Sequence, residues 1–298
     1  MSILMNENEK FSQTIQLKDG RRLGYAEFGN PKGKPVFHFH GWPGSRLEGL
    51  LVDEVAKKVG IRFIGVDRPG MGLSDFKPKR TLLDWPDDMI ELANALNIKK
   101  FYVEGISGGG PYSAACAYKI PDRLIASAIL GGLGPIDLGT EGMMKSNRVV
   151  FFMALNLPWL FRFFFWLTMG RKIHDVESVE KMLMRGEELP DADSKLLRDP
   201  KLRKPFAMET FEAFRQGTKG PAFEAKLYAK PWGFNLKDIS PQLKVYLYHG
   251  ELDVNVPIKM GHAMAEAIPN CKATFYAEEA HLSTALNHLE EIMKTIIS

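Results

Sequence analysis

Three side chains far apart in the chain, Ser107, Asp253 and His281, have the types that together can run one reaction. A serine hydroxyl is a weak nucleophile at neutral pH until an adjacent base takes its proton. Histidine titrates near neutrality, so it can take that proton and return it. The other ring nitrogen then needs a carboxylate, which fixes the tautomer and stabilises the imidazolium. Ser107 stands in Gly105-Ile106-Ser107-Gly108-Gly109, where small neighbours permit a strained turn with close backbone contacts. Asp253 lies in the acidic turn His249-Gly250-Glu251-Leu252-Asp253, and His281 in Glu279-Ala280-His281-Leu282. His249, His262 and His288 compete for the base, and Glu251 and Asp137 for the acid. A second stretch, His40-Gly41-Trp42-Pro43-Gly44-Ser45, carries turn residues suited to presenting a backbone N–H into a site, with His40 expected to hold the loop by hydrogen bonds.

These residues need a scaffold that gathers them. Phe101–Ile106 reads as a strand and Pro111–Tyr118 as a helix, so Ser107 would sit on a sharp strand-to-helix turn. The N–H groups at the start of that helix would point back at the serine. Upstream, Ser12–Leu17 and Arg22–Phe28 flank Asp19-Gly20 as a hairpin, and Pro35–Phe39 enters the His40 loop. Leu47–Val59 has a helical apolar face, Ile61–Val66 is a buried-type strand, and Asp84 is the expected N-cap of a helix continuing through Leu96. Asp67–Ser74 is a glycine-punctuated loop, read as support for the site's rim and not as a phosphate loop, since Gly-Lys-Ser/Thr is missing. Leu124–Leu130, Lys244–Tyr248 and Ala273–Tyr276 complete the strands, and a last helix runs from about Leu286 to Ile297. Alternating strands and helices predict a mostly parallel α/β sheet whose carboxyl edge collects the three side chains.

The alternation stops between about Ile136 and Trp232, where only helical patterns appear, among them Glu177–Arg185 and Phe206–Arg215, punctuated by Pro190, Pro200, Pro205 and Pro221. Long insertions in compact domains usually serve function, so 135–235 is expected to be a helical cap on a core made of 1–134 and 236–298. Val149–Met169 is rich in Phe and Trp, but Asn156, Pro158 and Arg162 interrupt it, so it is expected to be interfacial or substrate-facing and not a membrane span. Of the 298 residues 45% are hydrophobic and 25% charged, and the net charge of +3 is too small to suggest nucleic acid. Cys116 and Cys271 lack metal-ligand spacing and read as reduced thiols of a cytoplasmic protein, and Met1–Lys10 has no signal-peptide pattern.

Taken in order, His40-Gly41-x-Pro43-Gly44, Asp67-Arg68-x-Gly70-x-Gly72-x-Ser74, Gly105-x-Ser107-x-Gly109, Gly250-x-x-Asp253 and a late histidine resemble the α/β-hydrolase fold enzymes of the capped, esterase-like kind. The resemblance covers nearly the whole chain. It implies an eight-stranded, mostly parallel sheet flanked by helices, with a helical cap inserted after strand 6. It also implies a catalytic triad of Ser107, His281 and Asp253, and an oxyanion hole formed by the backbone N–H groups of Trp42 and Gly108. The expected chemistry is hydrolysis of a carboxylic ester, or a related acyl bond, of a small, apolar substrate through an acyl-enzyme, with no metal or organic cofactor. Three other readings are a proline-iminopeptidase-like aminopeptidase, a cofactor-free perhydrolase or C–C hydrolase, and a non-enzymatic ligand-binding relative. Against the first, Trp42 and Gly108 depart from the glycine and tryptophan usual there, and an aminopeptidase would also need an acidic pocket for the substrate's amino group.

Overall fold

The structure is a computed structural model that describes residues 10–184 and 189–298. All but Lys10 of the stretch read for a signal peptide, and the end of the Glu177–Arg185 pattern, lie outside the described residues. Eight strands form one sheet: β1 (Gln13–Gln16), β2 (Arg22–Gly29), β3 (Lys34–Phe39), β4 (Ile61–Val66), β5 (Phe101–Ile106), β6 (Leu124–Leu130), β7 (Lys244–Gly250) and β8 (Cys271–Tyr276). Their spatial order is β1-β2-β4-β3-β5-β6-β7-β8. β2 runs antiparallel to β1 and β4, and the remaining pairs are parallel.

Chain order reverses at β3, whose neighbours are β4 and β5. The crevice outside the carboxyl ends of strands at such a switch point is where open α/β sheets bind ligands. β3 ends into the His40 loop and β5 ends at Ser107, so both stretches meet there. Alternation along each strand builds a core on both faces. Phe37, Phe39, Val103 and Leu247 face one layer, while Val36, Phe63, Tyr102 and Tyr246 face the other. The flanking helices are α1 (Asp53–Val59), α2 (Trp85–Ala95), α3 (Gly110–Lys119), α10 (Ile258–Ala267), α11 (Ser283–Asn287) and α12 (Leu289–Ile296).

Between β6 and β7 the described residues hold α4 (Lys145–Asn156), α5 (Pro158–Phe165), α6 (Val176–Met184), α7 (Asp191–Arg198), α8 (Pro200–Ala213) and α9 (Lys219–Tyr228) and no strand. They bury a small core of their own around Ala154, Phe161, Phe165, Val179 and Phe214. The aromatic stretch is two helices, broken at Leu157 (φ −130°) ahead of Pro158. Among the described residues no helix is long and apolar enough to cross a membrane.

Four local expectations are corrected or refined. The helix expected over Leu47–Val59 is split into a 3-10 turn, Arg46–Leu51, and α1. Gly49 lies so close to the Phe28 ring that a Cβ there would stand 2.3 Å from it, and that close approach sets the path of the turn. Asp84 holds the N-cap position of α2 as expected, but its side chain makes no cap bond to that helix. It closes a capping box with Thr81 around a preceding 3-10 turn, accepting from the Thr81 N–H at 2.7 Å. Pro205 sits inside α8 instead of punctuating ahead of a helix over Phe206–Arg215, because α8 is held by packing on α6 and on the Arg46–Leu51 turn, which offsets the lost backbone bond. The last helix likewise divides at His288.

Candidate active site

The turn after β5 places Ser107 at φ +52°, a left-handed conformation costly for a residue with a Cβ. The flanking glycines make the turn feasible: a Cβ on Gly105 would meet the Gly109 carbonyl oxygen at 2.3 Å. The Ser107 hydroxyl lies 2.8 Å from His281 Nε2, and His281 Nδ1 lies 2.7 Å from Asp253 Oδ2. Asp253 is itself pinned, with Oδ1 accepting from the N–H groups of Asn255 (2.8 Å) and Val256 (2.9 Å). With Nδ1–H donating to the carboxylate, Nε2 is left to accept the serine proton. Burial alone would lower the pKa of His281, but the charge and hydrogen bond of Asp253, aided by Asp193 and Glu48, raise it above the ordinary 6.5.

The competing residues make other contacts, although His249 Nε2 also lies 3.5 Å from Asp253 Oδ2. His249 is buried and bonds the Val256 carbonyl at 2.8 Å, with its charged form disfavoured by burial. His262 lies tilted against Phe275, and His288 stacks on Tyr276 and pairs with Glu279. Asp137 and Glu251 are exposed.

The His40 loop lies against the elbow. A Cβ on Gly108 would stand 2.6 Å from Trp42 Cβ and 2.7 Å from Tyr228 Oη, so only glycine lets these two backbones approach. Trp42 also reaches the helical insertion, donating from Nε1 to the Pro221 carbonyl at 3.0 Å and stacking on Phe165. His40 is fully buried, bonding the Gly41 carbonyl through Nδ1 at 2.8 Å and accepting the Arg68 N–H at Nε2. Burial and the Arg68 charge hold its pKa well below 6.5, so it is a neutral strut. Arg68 donates to the carbonyls of His40 and Gly41, and Asp67 holds Arg46 and the Leu73 N–H. The expectation that this loop supports the rim is therefore met by specific bonds.

Several neighbours had no sequence signal. Glu48 Oε2 accepts from the Gly41 N–H (2.9 Å) and faces His38 Nε2 (2.9 Å), whose Nδ1 faces Glu104 (3.0 Å). Despite burial, the two carboxylates hold His38 protonated, with its pKa up at about 9. Tyr228 on α9 donates to the Gly108 carbonyl at 2.8 Å. Asp193 on α7 is fully buried and accepts from three successive N–H groups, those of His281 (3.1 Å), Leu282 (2.9 Å) and Ser283 (2.9 Å), which lead into α11. A carboxylate there satisfies orphan donors at a helix start. Its place beside the histidine shows only in three dimensions, 88 residues apart in sequence.

Asp193 gives a test through pH. Its charge contributes to raising the His281 pKa. A base must be neutral to act, so kcat/KM falls as pH drops through that raised pKa. Asp193→Asn removes the charge and retains an acceptor oxygen, so the acid limb of the kcat/KM profile is expected to move to lower pH. An unmoved limb would mean that Asp193 only holds the loop.

The side chains open on a cavity of about 390 Å3 lined by Ser107, His281, Trp42, Glu48 and Glu209 and by apolar groups from the insertion, including Val150, Phe151, Met169 and Leu197. Fold, elbow and loops together have the form of an α/β hydrolase. The family model described as alpha/beta hydrolase fold matches residues 34–283, and the chain belongs to that family. It is similar over nearly its whole length to a bifunctional esterase/perhydrolase of Acinetobacter calcoaceticus, at 27% identity across 90% of this chain and 92% of that one. A probable proline iminopeptidase of Leptolyngbya boryana is 29% identical over 46% of this chain and 40% of its own. Several curated relatives, that one among them, are matched over less than half of their length. An esterase structure from Exiguobacterium antarcticum superposes with a TM-score of 0.66 at 18% identity, over 96% of this chain and 98% of that one, a likeness of fold alone.

Proposed function

We propose that the chain is a serine esterase acting through Ser107, His281 and Asp253. The observation that carries this reading is the continuous path Ser107 Oγ–His281 Nε2 at 2.8 Å and His281 Nδ1–Asp253 Oδ2 at 2.7 Å, opening on one cavity. Ser107 Oγ attacks the ester carbonyl and its proton passes to His281. The carbonyl oxygen becomes an oxyanion, received by the N–H groups of Trp42 and Gly108. Collapse breaks the acyl C–O bond, and His281 gives its proton to the departing alcohol. Water then repeats the sequence on the acyl-enzyme and releases the acid. Residues 135–235 serve as the cap over a core of 1–134 and 236–298, and their apolar lining favours an apolar acyl or alcohol group. The two free thiols accord with a cytoplasmic setting.

One observation favours the aminopeptidase reading as a second. Glu48 and Glu209 both line the cavity. Glu209 is deeply buried, and burial with the nearby Glu48 charge raises its pKa well above the ordinary carboxyl value. An incoming ammonium would restore its charge. Against this, Glu48 is already bonded to Gly41 and His38, and Glu209 Oε2 accepts the Ser45 N–H at 2.9 Å. A panel of short-chain nitrophenyl esters and amino-acid arylamides separates the two. Ester turnover is expected to exceed arylamide turnover by orders of magnitude, and a preference for arylamides would replace the esterase reading.

A further inference from the structure

From the surface of the helical insertion we infer that α5 and its basic flanks dock the protein onto an anionic lipid bilayer. Along α5 and the π-helical turn Trp166–Gly170 that continues it, the residues Trp159, Arg162, Phe163 and Trp166 recur at helical spacing and form one exposed stripe, bordering a shared shallow hollow. Trp159 is 71% exposed, Phe163 53% and Trp166 47%, with Phe164 beside them at 44%. Phe161 and Phe165, on the other side of the same helix, are buried in the insertion's own core. The helix therefore spends one aromatic face on packing and leaves a second one in water. α4 continues the exposure through Val149, Phe152 and Leu155, which border a groove of about 600 Å3 with Lys145 and Arg148 on its wall.

Charge selects the occupant. Between Glu141 and Asp175 the sequence holds Lys145, Arg148, Arg162, Arg171 and Lys172 and no carboxylate at all. All five are exposed. Arg171 lies over the Trp166 ring at 5.8 Å, so cation and aromatic share one surface. A symmetric pairing with a second copy would set these cations against themselves. A bilayer carrying anionic headgroups attracts them and takes up the indole and phenyl rings at headgroup depth. α5, with eight residues, is far too short to span, so the contact is peripheral. The stripe residues do not line the reaction cavity, so docking is separable from chemistry.

The full chain is sedimented with vesicles of neutral phosphatidylcholine, alone or with 30% phosphatidylglycerol. Binding to the anionic vesicles is expected, at least tenfold weaker without phosphatidylglycerol and released by half-molar salt. Each surface cation is worth about fivefold in such partitioning, so a triple variant R162Q/R171Q/K172Q should lose about a hundredfold. A second variant, W159S/F163S/W166S, should also stay in the supernatant while hydrolysing a soluble ester at the wild-type rate, which shows it folded. Failure of the wild type to bind anionic vesicles would overturn the inference. So would equal binding by the serine variant, or a wild-type dimer in solution that this variant converts to monomer.

Discussion

Ser107→Ala is expected to lower kcat for ester hydrolysis by about a millionfold while leaving KM within a few-fold. That factor corresponds to about 8 kcal/mol of transition-state stabilisation. The size follows from the role. Without Oγ, His281 has no proton to take and no covalent intermediate forms, so only binding and oxyanion stabilisation of a direct water attack remain. Asp253→Asn should cost about ten-thousandfold, since the carboxamide presents the wrong partner to His281 Nδ1. Steady-state kinetics with a nitrophenyl ester, together with labelling by a fluorophosphonate, check both. Unchanged turnover or unchanged labelling in Ser107→Ala would remove the serine mechanism. A companion measurement is independent of chemistry. Because Ser107 sits at φ +52°, Ser107→Gly should abolish turnover yet raise stability by about 1 kcal/mol. A residue placed for packing would show the opposite sign.

What the sequence disclosed and what it hid divide along a physical line. The elbow, the His40 loop and the Asp253 turn each depend on local chemistry: a strand of β-branched and aromatic residues, glycines where backbones touch, a turn with an acid. Such signals lie within a few residues of each other and can be read before folding. The sheet was legible for the same reason, since β5 and β6 announce themselves by composition. The groups that hold the site in place were not. Glu48 lies on a stretch read for its apolar face alone, although its carboxylate fastens Gly41. Asp193, Glu209, Glu224 and Tyr228 come from the helical insertion, where the pattern gives helices but not their docking. A lone acid on a surface-patterned helix looks solvated until another element covers it. The split of the Leu47–Val59 helix was hidden likewise, because it depends on where Gly49 meets Phe28.

Glu224→Ala should be the most destabilising of the substitutions considered, at about 3–5 kcal/mol. Glu224 is fully buried on α9. Its Oε1 accepts from Arg68 Nε (2.9 Å), Arg80 Nη2 (3.1 Å) and the Tyr112 hydroxyl (2.6 Å), and Oε2 accepts from Arg68 Nη2 (2.9 Å). Burial would raise its pKa, but the two guanidinium groups and the tyrosine outweigh burial and keep it ionised. Arg68 and Arg80 are nearly inaccessible, and Arg80 Nε and Nη1 make no hydrogen bond. Alanine would leave two buried cations facing each other with no anion between them. An exposed pair predicts the contrast: Glu54→Ala, at a carboxylate that meets Lys57 in solvent, should change stability by well under 1 kcal/mol. Thermal unfolding followed by circular dichroism should show a fall of about 10 °C for Glu224→Ala and almost none for Glu54→Ala. The loss should reach the chemistry too. Arg68 carries the bonds to the His40 and Gly41 carbonyls, so freeing it loosens the loop that carries Trp42, the proposed oxyanion donor. Activity of Glu224→Ala is therefore expected to drop well below its melting temperature, chiefly in kcat. If that variant melts as the wild type does, the carboxylate is not what neutralises the two arginines, and the insertion must be held to the sheet by its apolar contacts alone.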